Sequence, residues 1–499
     1  MIIQTISNVY LFFFKFIFSL NILVVLLSTV ILVINNFFGN VAPIKDFNST
    51  NFIKKLLLSN IITNIFIVSL LLYTVLFFYK SVYFSLLLQN SKINIVYNQF
   101  NYSFYSFDFD IYNIIFYTLS LIVAFISLLA LDTRIYSSKS IFLVLCNVLI
   151  LFIFMFSFTN NYILFFIFYE LLLIPSFFFV YRISPAKTSI QSSIYFVMWT
   201  QIGSFLVFLA ILFLVILTNQ YTFNAISQYN FTTNEIIIIQ YLLFFGFGIK
   251  IPVWPFHYWI TKTHVDAPTG FSIFLSGFLV KTALFGFYKF IITLGYFDNT
   301  VLFSTICLIG IIDASMKMWG QTDLKKLVAY ATIQEMGLVY ITLCFGDTTS
   351  MIGGFIFSVT HALLSSIFFF LVDTVSRRFY TRNIVEINGI LHLTPNLGIV
   401  ILISCIFYSG LPGTLKFISE LYIFSGLFDI TPLSTIIVLF GANFFGLIGF
   451  SKVWFNVVFG MTSINKNYMI NDLSYKEIYT LSVCYLLLFL WGLVIPNFL

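Results

Sequence analysis

The chain reads as an all-α integral membrane protein of about fourteen transmembrane helices, with two inverted five-helix repeats and broken helices 7 and 12. Three observations predict this. Of 499 residues, 60% are hydrophobic and only 8% charged, with a mean hydropathy of +1.03, whereas a soluble domain carries roughly 25% charged residues. Apolar stretches long enough to cross the ~30 Å hydrocarbon core recur along the whole chain. Prolines interrupt two of them in corresponding ways. Backbone groups in lipid must be satisfied internally, so the stretches are read as helices.

The spans fall at about 10–37, 57–80, 112–131, 139–158, 162–181, 190–218, 235–256, 267–290, 298–319, 324–346, 350–372, 396–428, 430–451 and 477–497. No Lys or Arg lies in the ten residues before the first span, so neither a basic n-region nor an Arg-rich transit peptide is expected. Residues 1–135 carry helices 1–3, and the polar, aromatic stretch at 81–111 reads as a surface connection with some extended or short helical structure. The seventh span is broken by Pro252 and Pro255 and the twelfth by Pro412, since each proline removes a backbone donor. Pro252 and Pro412 are 160 residues apart, Glu170 and Glu335 165. That near-constant offset pairs a repeat at 136–290 with one at 291–452, leaving 453–499 for helix 14. Five is odd, so the second repeat enters from the opposite side, the arrangement of transporters with ion sites at broken helices.

The net charge of +6 does not point to nucleic acid, because the cations are distributed by membrane side. Lys15, Lys250, Lys281 and Lys416 fall inside spans and Lys80, Lys92 and Lys289 on one face, leaving 17 of the 24 Lys and Arg in connections on the other. The basic face is read as the inner one, with both termini outside. Arg377, Arg378 and Arg382, in the connection read from Asp373 to Thr394, form its densest part. Five cysteines lie without Cys-x-x-Cys spacing, which argues against iron–sulfur or structural zinc sites and suits small apolar fillers. The 67 Phe and 29 Tyr suit an AT-rich organellar genome of a protist.

An ionisable group at bilayer depth costs at least ~2.5 kcal/mol and asks for a reason. Glu170, Lys250, Lys281, His361 and Glu420 all lie deep in spans. Singly, each could be a structural ion pair or a snorkelling side chain. Recurring in successive spans, they suggest a polar file able to relay protons. Asp313 and Lys317, four apart, can pair on one helix face, and Lys416 is expected to satisfy Glu420 in the same way. Asp373 is placed at a helix end. His257, His264 and Asp266 flank the break after span 7; water-coupled proton entry is a better use for them than a metal site.

Lys250-Ile-Pro-Val-Trp-Pro-Phe-His257 and the run onward to Gly270, followed by Lys281, resemble the signature of the antiporter-like membrane subunits of respiratory complex I, NADH:ubiquinone oxidoreductase. Tyr169 to Pro175, Gln321 to Tyr330, His361 to Ser366 and Leu411 to Glu420 agree with it, so the resemblance covers about 160 to 425. It is closest to the subunit 4 branch, because Glu420 stands where other branches carry Lys and the chain has no long lateral helix after span 14.

The resemblance implies that Glu170 and Lys250 are the coupled pair of a first proton half-channel in 136–290. Lys281 and His361 would continue the central axis, and Glu420 would end a second half-channel in 291–452. His257, His264, Glu335 and Lys416 are possible further members. Where the family commonly has His in the span 10 motif, this chain has Glu335, which puts the local proton wiring in question. No nucleotide fingerprint or cluster-type Cys spacing occurs, so no cofactor is expected in this chain. FMN, iron–sulfur clusters, NADH and ubiquinone would belong to the complex as a whole. Expected partners are other complex I subunits, above all neighbouring antiporter-like subunits, and membrane lipid. The resemblance implies the mitochondrial inner membrane, with the termini on the intermembrane-space side. A multisubunit cation/proton antiporter is the alternative.

Overall fold

The computed structural model describes residues 100–102, 105–107, 111–130, 136–184, 186–295, 300–345, 347–430, 432–460 and 471–494. The expected spans at 10–37 and 57–80, both termini and most of the 81–111 connection lie outside the described residues. Among the described residues the chain is helical except for one small antiparallel hairpin, β1 (Phe100–Tyr102) with β2 (Tyr105–Phe107). Nine helices there are long and apolar enough to cross a membrane. They coincide with expected spans 3–6, 8–11 and 13.

Contacts divide the chain into two compact units, Met1–Ile183 and Ser184–Leu499. In the first, α1 (Ile111–Leu129) packs on α2 (Tyr136–Phe158), and α2 on α3 (Tyr162–Leu171) and α4 (Leu173–Phe178). Asn161 starts α3 by accepting from the Ile163 and Leu164 amides, as an N-cap should. Pro175 supplies no amide to the carbonyl four residues earlier, and the helix is interrupted at Leu172, two residues after Glu170. Buried rings of Phe156, Phe165 and Tyr169 fill the interior, whereas Glu170 is only partly covered within its unit, not fully buried as the sequence suggested.

The second unit holds the two interrupted helices. It opens with α5 (Ser189–Thr218) and the short α6 (Phe223–Ile226); the first interrupted helix then runs as α7 (Thr233–Lys250), which begins in a Thr232/Glu235 capping box. It resumes beyond the break as α8 (Tyr258–Asp266). Pro252 cannot donate to Gly248 O, and the Val253 amide takes that carbonyl instead at 2.8 Å. The Trp259 indole donates to Ile249 O at 3.0 Å. Buried Lys325 and half-buried Arg382 donate to Ala267 O and Val265 O at the C-terminus of α8, where cations complete carbonyls left open by the helix. Lys325 therefore belongs to the interior and not to the loop cations with which the sequence grouped it. It sits in the first turn of a helix whose N-terminus is folded over α8.

Beyond α8 the chain forms α9 (Thr269–Phe274), a π-helical turn at Leu275–Leu279, α10 (Val280–Leu294), α11 (Thr300–Trp319), α12 (Leu324–Phe345) and α13 (Thr348–Phe379). Helix α13 continues past Asp373 for another six residues, so Asp373 is not at a helix end. Asp373 is buried there, accepts from Thr269 Oγ1 at 2.8 Å and pairs with Arg377 at 2.7 Å. After the short α14 (Ile390–Leu393), α15 (Pro395–Tyr408) and α16 (Leu415–Ile430) form the other interrupted helix. The α15 N-terminus is held by the Asp472 carboxylate, which accepts from the Asn396 and Leu397 amides. Next come α17 (Pro432–Val438), a π-helical stretch at Leu439–Gly446, α18 (Leu447–Phe459) and α19 (Tyr475–Val494).

Helix α13 packs on both α12 and α16. It meets α16 backbone to backbone: a Cβ on Gly353 would stand 2.7 Å from Ile423 N, and one on Gly426 2.6 Å from Ser350 N. This close crossing brings the side chains of α12, α13 and α16 onto one axis. All five cysteines are free and buried.

Candidate functional site

The axis starts at the π-helical turn. Widening the helix at Leu275–Leu279 takes Ser276 O off the regular hydrogen-bond ladder. The ammonium of Lys281, one turn later and 1% exposed, donates to that carbonyl and to His361 Nδ1 on α13. With Lys281 as an ammonium, which has only donors, Nδ1 accepts and a neutral imidazole carries its proton on Nε2. His361 Nε2 lies 3.8 Å from Glu335 Oε2 on α12. Glu335 Oε1 accepts from Lys416 Nζ at 2.8 Å, and Lys416 Nζ lies 3.8 Å from Glu420 Oε1.

Five ionisable groups from four helices thus form a continuous file, Lys281, His361, Glu335, Lys416 and Glu420. Sequence reasoning paired Lys416 with Glu420 across one helical turn; the nearer partner is Glu335, 81 residues away. The reason is the break. Pro412 has no amide to donate to the carbonyl four residues before it, and Lys416 Nζ takes that carbonyl, Tyr408 O, at 2.7 Å. This draws the ammonium toward α12 and over the Tyr408 ring, 3.9 Å from its centroid. Glu420 lies against the turn instead. A Cβ on Gly410, whose φ of +79° suits glycine, would stand 3.2 Å from Glu420 Oε2.

Glu335, Lys416 and Glu420 line a small cavity with Gln334, Tyr408 and Phe357, with room for about one water molecule. Side-chain exposure rises along the file, from 2% for His361 to 6% and 5% for Glu335 and Lys416 and 16% for Glu420. Glu420 is therefore the most exposed member of the file. Tyr408 and Gln334 were not read as functional from the sequence. Tyr408 could have been found as the residue whose carbonyl Pro412 must leave open.

Of the other candidates, His264 lies near enough to the file to interact electrostatically with Lys281 and His361. Lys250 is buried at the end of α7, beside the break. His257 lies in the break with its Nε2 3.4 Å from both Asp313 Oδ2 and Lys317 Nζ, while Asp313 and Lys317 pair at 2.6 Å as the sequence expected. His264 is fully buried and stacked on Phe369 at 4.7 Å, with neither ring nitrogen hydrogen-bonded. Asp266 accepts from Thr188 Oγ1 and is not part of a His257–His264 group. Among the described residues, no three His, Cys, Asp or Glu side chains converge to hold a metal ion.

Membrane-crossing helices around a buried file of Lys, His and Glu, ending at a proline-broken helix, define a membrane protein built to handle ions. Residues 159–446 match the family described as NADH:quinone oxidoreductase/Mrp antiporter, TM, and the chain belongs to that family. It is 45% identical over 341 residues to a protein named NADH-ubiquinone oxidoreductase chain 4 of Paramecium tetraurelia, covering 68% of this chain and 71% of the relative. It is 30% identical over 344 residues to NADH-quinone oxidoreductase subunit M of Rickettsia conorii, covering 67% and 68%. Among solved structures, it is similar to a chain of respiratory complex I from Thermus thermophilus with bound NADH, at a TM-score of 0.71 and 20% identity over 79% of this chain and 83% of the other. A chain of an archaeal membrane-bound sulfane sulfur reductase gives 0.79 and 16%, over 97% and 95%. At these identities the structural likeness is one of fold.

Proposed function

We propose that the file from Lys281 to Glu420 conducts protons, and that through it the chain acts as a proton-translocating, antiporter-like membrane-arm subunit of NADH:ubiquinone oxidoreductase. The observation that carries this reading is the file's continuity: no step exceeds 3.8 Å, and it runs from a sealed interior to its most accessible member at a helix break. The relatives named chain 4 and subunit M favour the complex I role over a stand-alone cation antiporter. The chain contributes no redox chemistry of its own; quinone reduction belongs to its partners, the other complex I subunits, among them neighbouring antiporter-like ones.

The charges suggest how the steps are coupled. His361 passes its Nε2 proton toward Glu335 and regains one at Nδ1 from Lys281. Once Glu335 is neutral, Lys416 has lost its nearest counter-charge and is drawn to Glu420. A unit pair about 4 Å apart is worth about 4 kcal/mol at an effective dielectric constant of 20. That attraction favours ionised Glu420, which gives its proton to water at the break. Glu170 and Lys250 are assigned the first half-channel, and His257 and His264 its water-coupled entry. The two inverted repeats, the full count of about fourteen helices, a mitochondrial inner-membrane location, basic loops toward the matrix and termini toward the intermembrane space belong to the same proposal.

The test is Glu420→Gln, which keeps size and hydrogen bonding but cannot release a proton. In the assembled complex in vesicles it is expected to slow NADH oxidation and lower the protons moved per electron pair, with Glu420→Asp milder. An unaltered ratio and rate for Glu420→Gln would make Glu420 a structural partner of Lys416 only.

A further inference from the structure

The surroundings of Lys416 are unusual for a residue that itself passes protons. Its ammonium sits in a cradle of oxygen acceptors, with Glu335 Oε1 at 2.8 Å, Tyr408 O at 2.7 Å and Glu420 Oε1 at 3.8 Å. The Tyr408 ring lies beneath it at 3.9 Å and the Phe357 ring at 5.7 Å. The same cavity is lined by Gln334, which is 3% exposed. Its amide nitrogen donates to Ala442 O at 2.6 Å, and its amide oxygen has no hydrogen-bond partner. Two carboxylates, a freed backbone carbonyl, an open amide oxygen and an aromatic face are the surroundings that a small monovalent cation takes.

We infer that Lys416 is a specificity-determining residue, whose ammonium is a tethered cation seated between Glu335 and Glu420 where a free monovalent cation would otherwise bind, so that only protons can move through this part of the file. The inference rests on the proton-conducting reading above. It gives Lys416 a task that does not require it to titrate. With the ammonium in place, the two carboxylates carry one charge more than it balances, and one proton restores neutrality. Without it, the cradle keeps two negative charges and its neutral oxygens, and a sodium ion or methylammonium can enter. A tethered cation cannot leave, so it contributes charge without competing as cargo.

The experiment compares wild type and Lys416→Ala in the assembled complex, in sodium-free medium held at constant ionic strength with choline, which is too large for the cradle. Wild-type turnover and protons per electron pair are expected not to change when sodium replaces choline. Lys416→Ala should lose about tenfold or more in coupled turnover, as follows from leaving a buried pair uncompensated. Sodium and methylammonium should each restore most of it. Lys416→Met, whose side chain fills the cradle without charge, should lose activity that neither cation restores.

Restoration by methylammonium alone would mean that Lys416 is a proton carrier, since a metal ion cannot replace a titrating amine, and would overturn the inference. So would full activity of Lys416→Ala without cations, or a loss that neither cation repairs. If Lys416→Ala fails to assemble, assembly becomes the readout: sodium in the medium restores it or the inference fails. A negative result here with a lowered proton ratio in Glu420→Gln removes the tethered cation and leaves the relay standing; an unaltered Glu420→Gln removes the relay itself.

Discussion

Glu335→Gln is the perturbation that bears most directly on the file, because Glu335 joins His361 on α13 to Lys416 on α16. The change removes the charge-assisted bond to Lys416 at 2.8 Å and the carboxylate 3.8 Å from His361. Breaking a buried pair by deleting one partner costs about 3–5 kcal/mol. Lys416 keeps Tyr408 O at 2.7 Å and has Glu420 at 3.8 Å, so the expected loss falls to about 2–3 kcal/mol, in the range of a hydrogen bond to a charged group. The thermal midpoint of the assembled complex should fall, and protons per electron pair should fall with it. The double variant Glu335→Gln/Lys416→Met removes both charges and should recover most of the stability, since neutral replacements for a buried pair are often tolerated. It should not recover pumping. An unchanged midpoint and proton ratio in Glu335→Gln would show that this pair is absent from the working protein.

Two further predictions concern the scaffold and the orientation. Gly353→Ala places a Cβ 2.7 Å from Ile423 N at the α13–α16 crossing; overpacking of this kind costs about 1–3 kcal/mol, and because it separates His361 from Lys416 it should lower the proton ratio as well as the thermal midpoint, whereas a change in neither would mean that the crossing yields freely. A cysteine at Val385, which is 71% exposed on the basic face, should react with an impermeant thiol reagent only from the matrix side, and labelling from the intermembrane-space side of intact mitochondria would reverse the topology.

The sequence by itself determined the solvent, the breaks and the chemistry available. Length and hydropathy set the spans, because a helix must cover the hydrocarbon core with apolar side chains. Pro252 and Pro412 set where helices stop, because a missing amide is a local fact. Lys281, His361 and Glu420 declared themselves because ionisable groups in apolar helices are costly wherever they later point. Local spacing gave the Lys416–Glu420 pair, present at 3.8 Å, but not partners that come from another helix. Lys416 and Glu420 share a helix face, yet the shorter pair is Lys416 with Glu335; Lys281 and His361 meet across 80 residues. Lys325 read as a loop cation and is buried, and Asp373 read as a helix end and lies within α13. Tertiary structure decided these because the Gly353–Gly426 approach fixes how near α13 comes to α16, and the carbonyl that Pro412 leaves open fixes where the Lys416 ammonium rests.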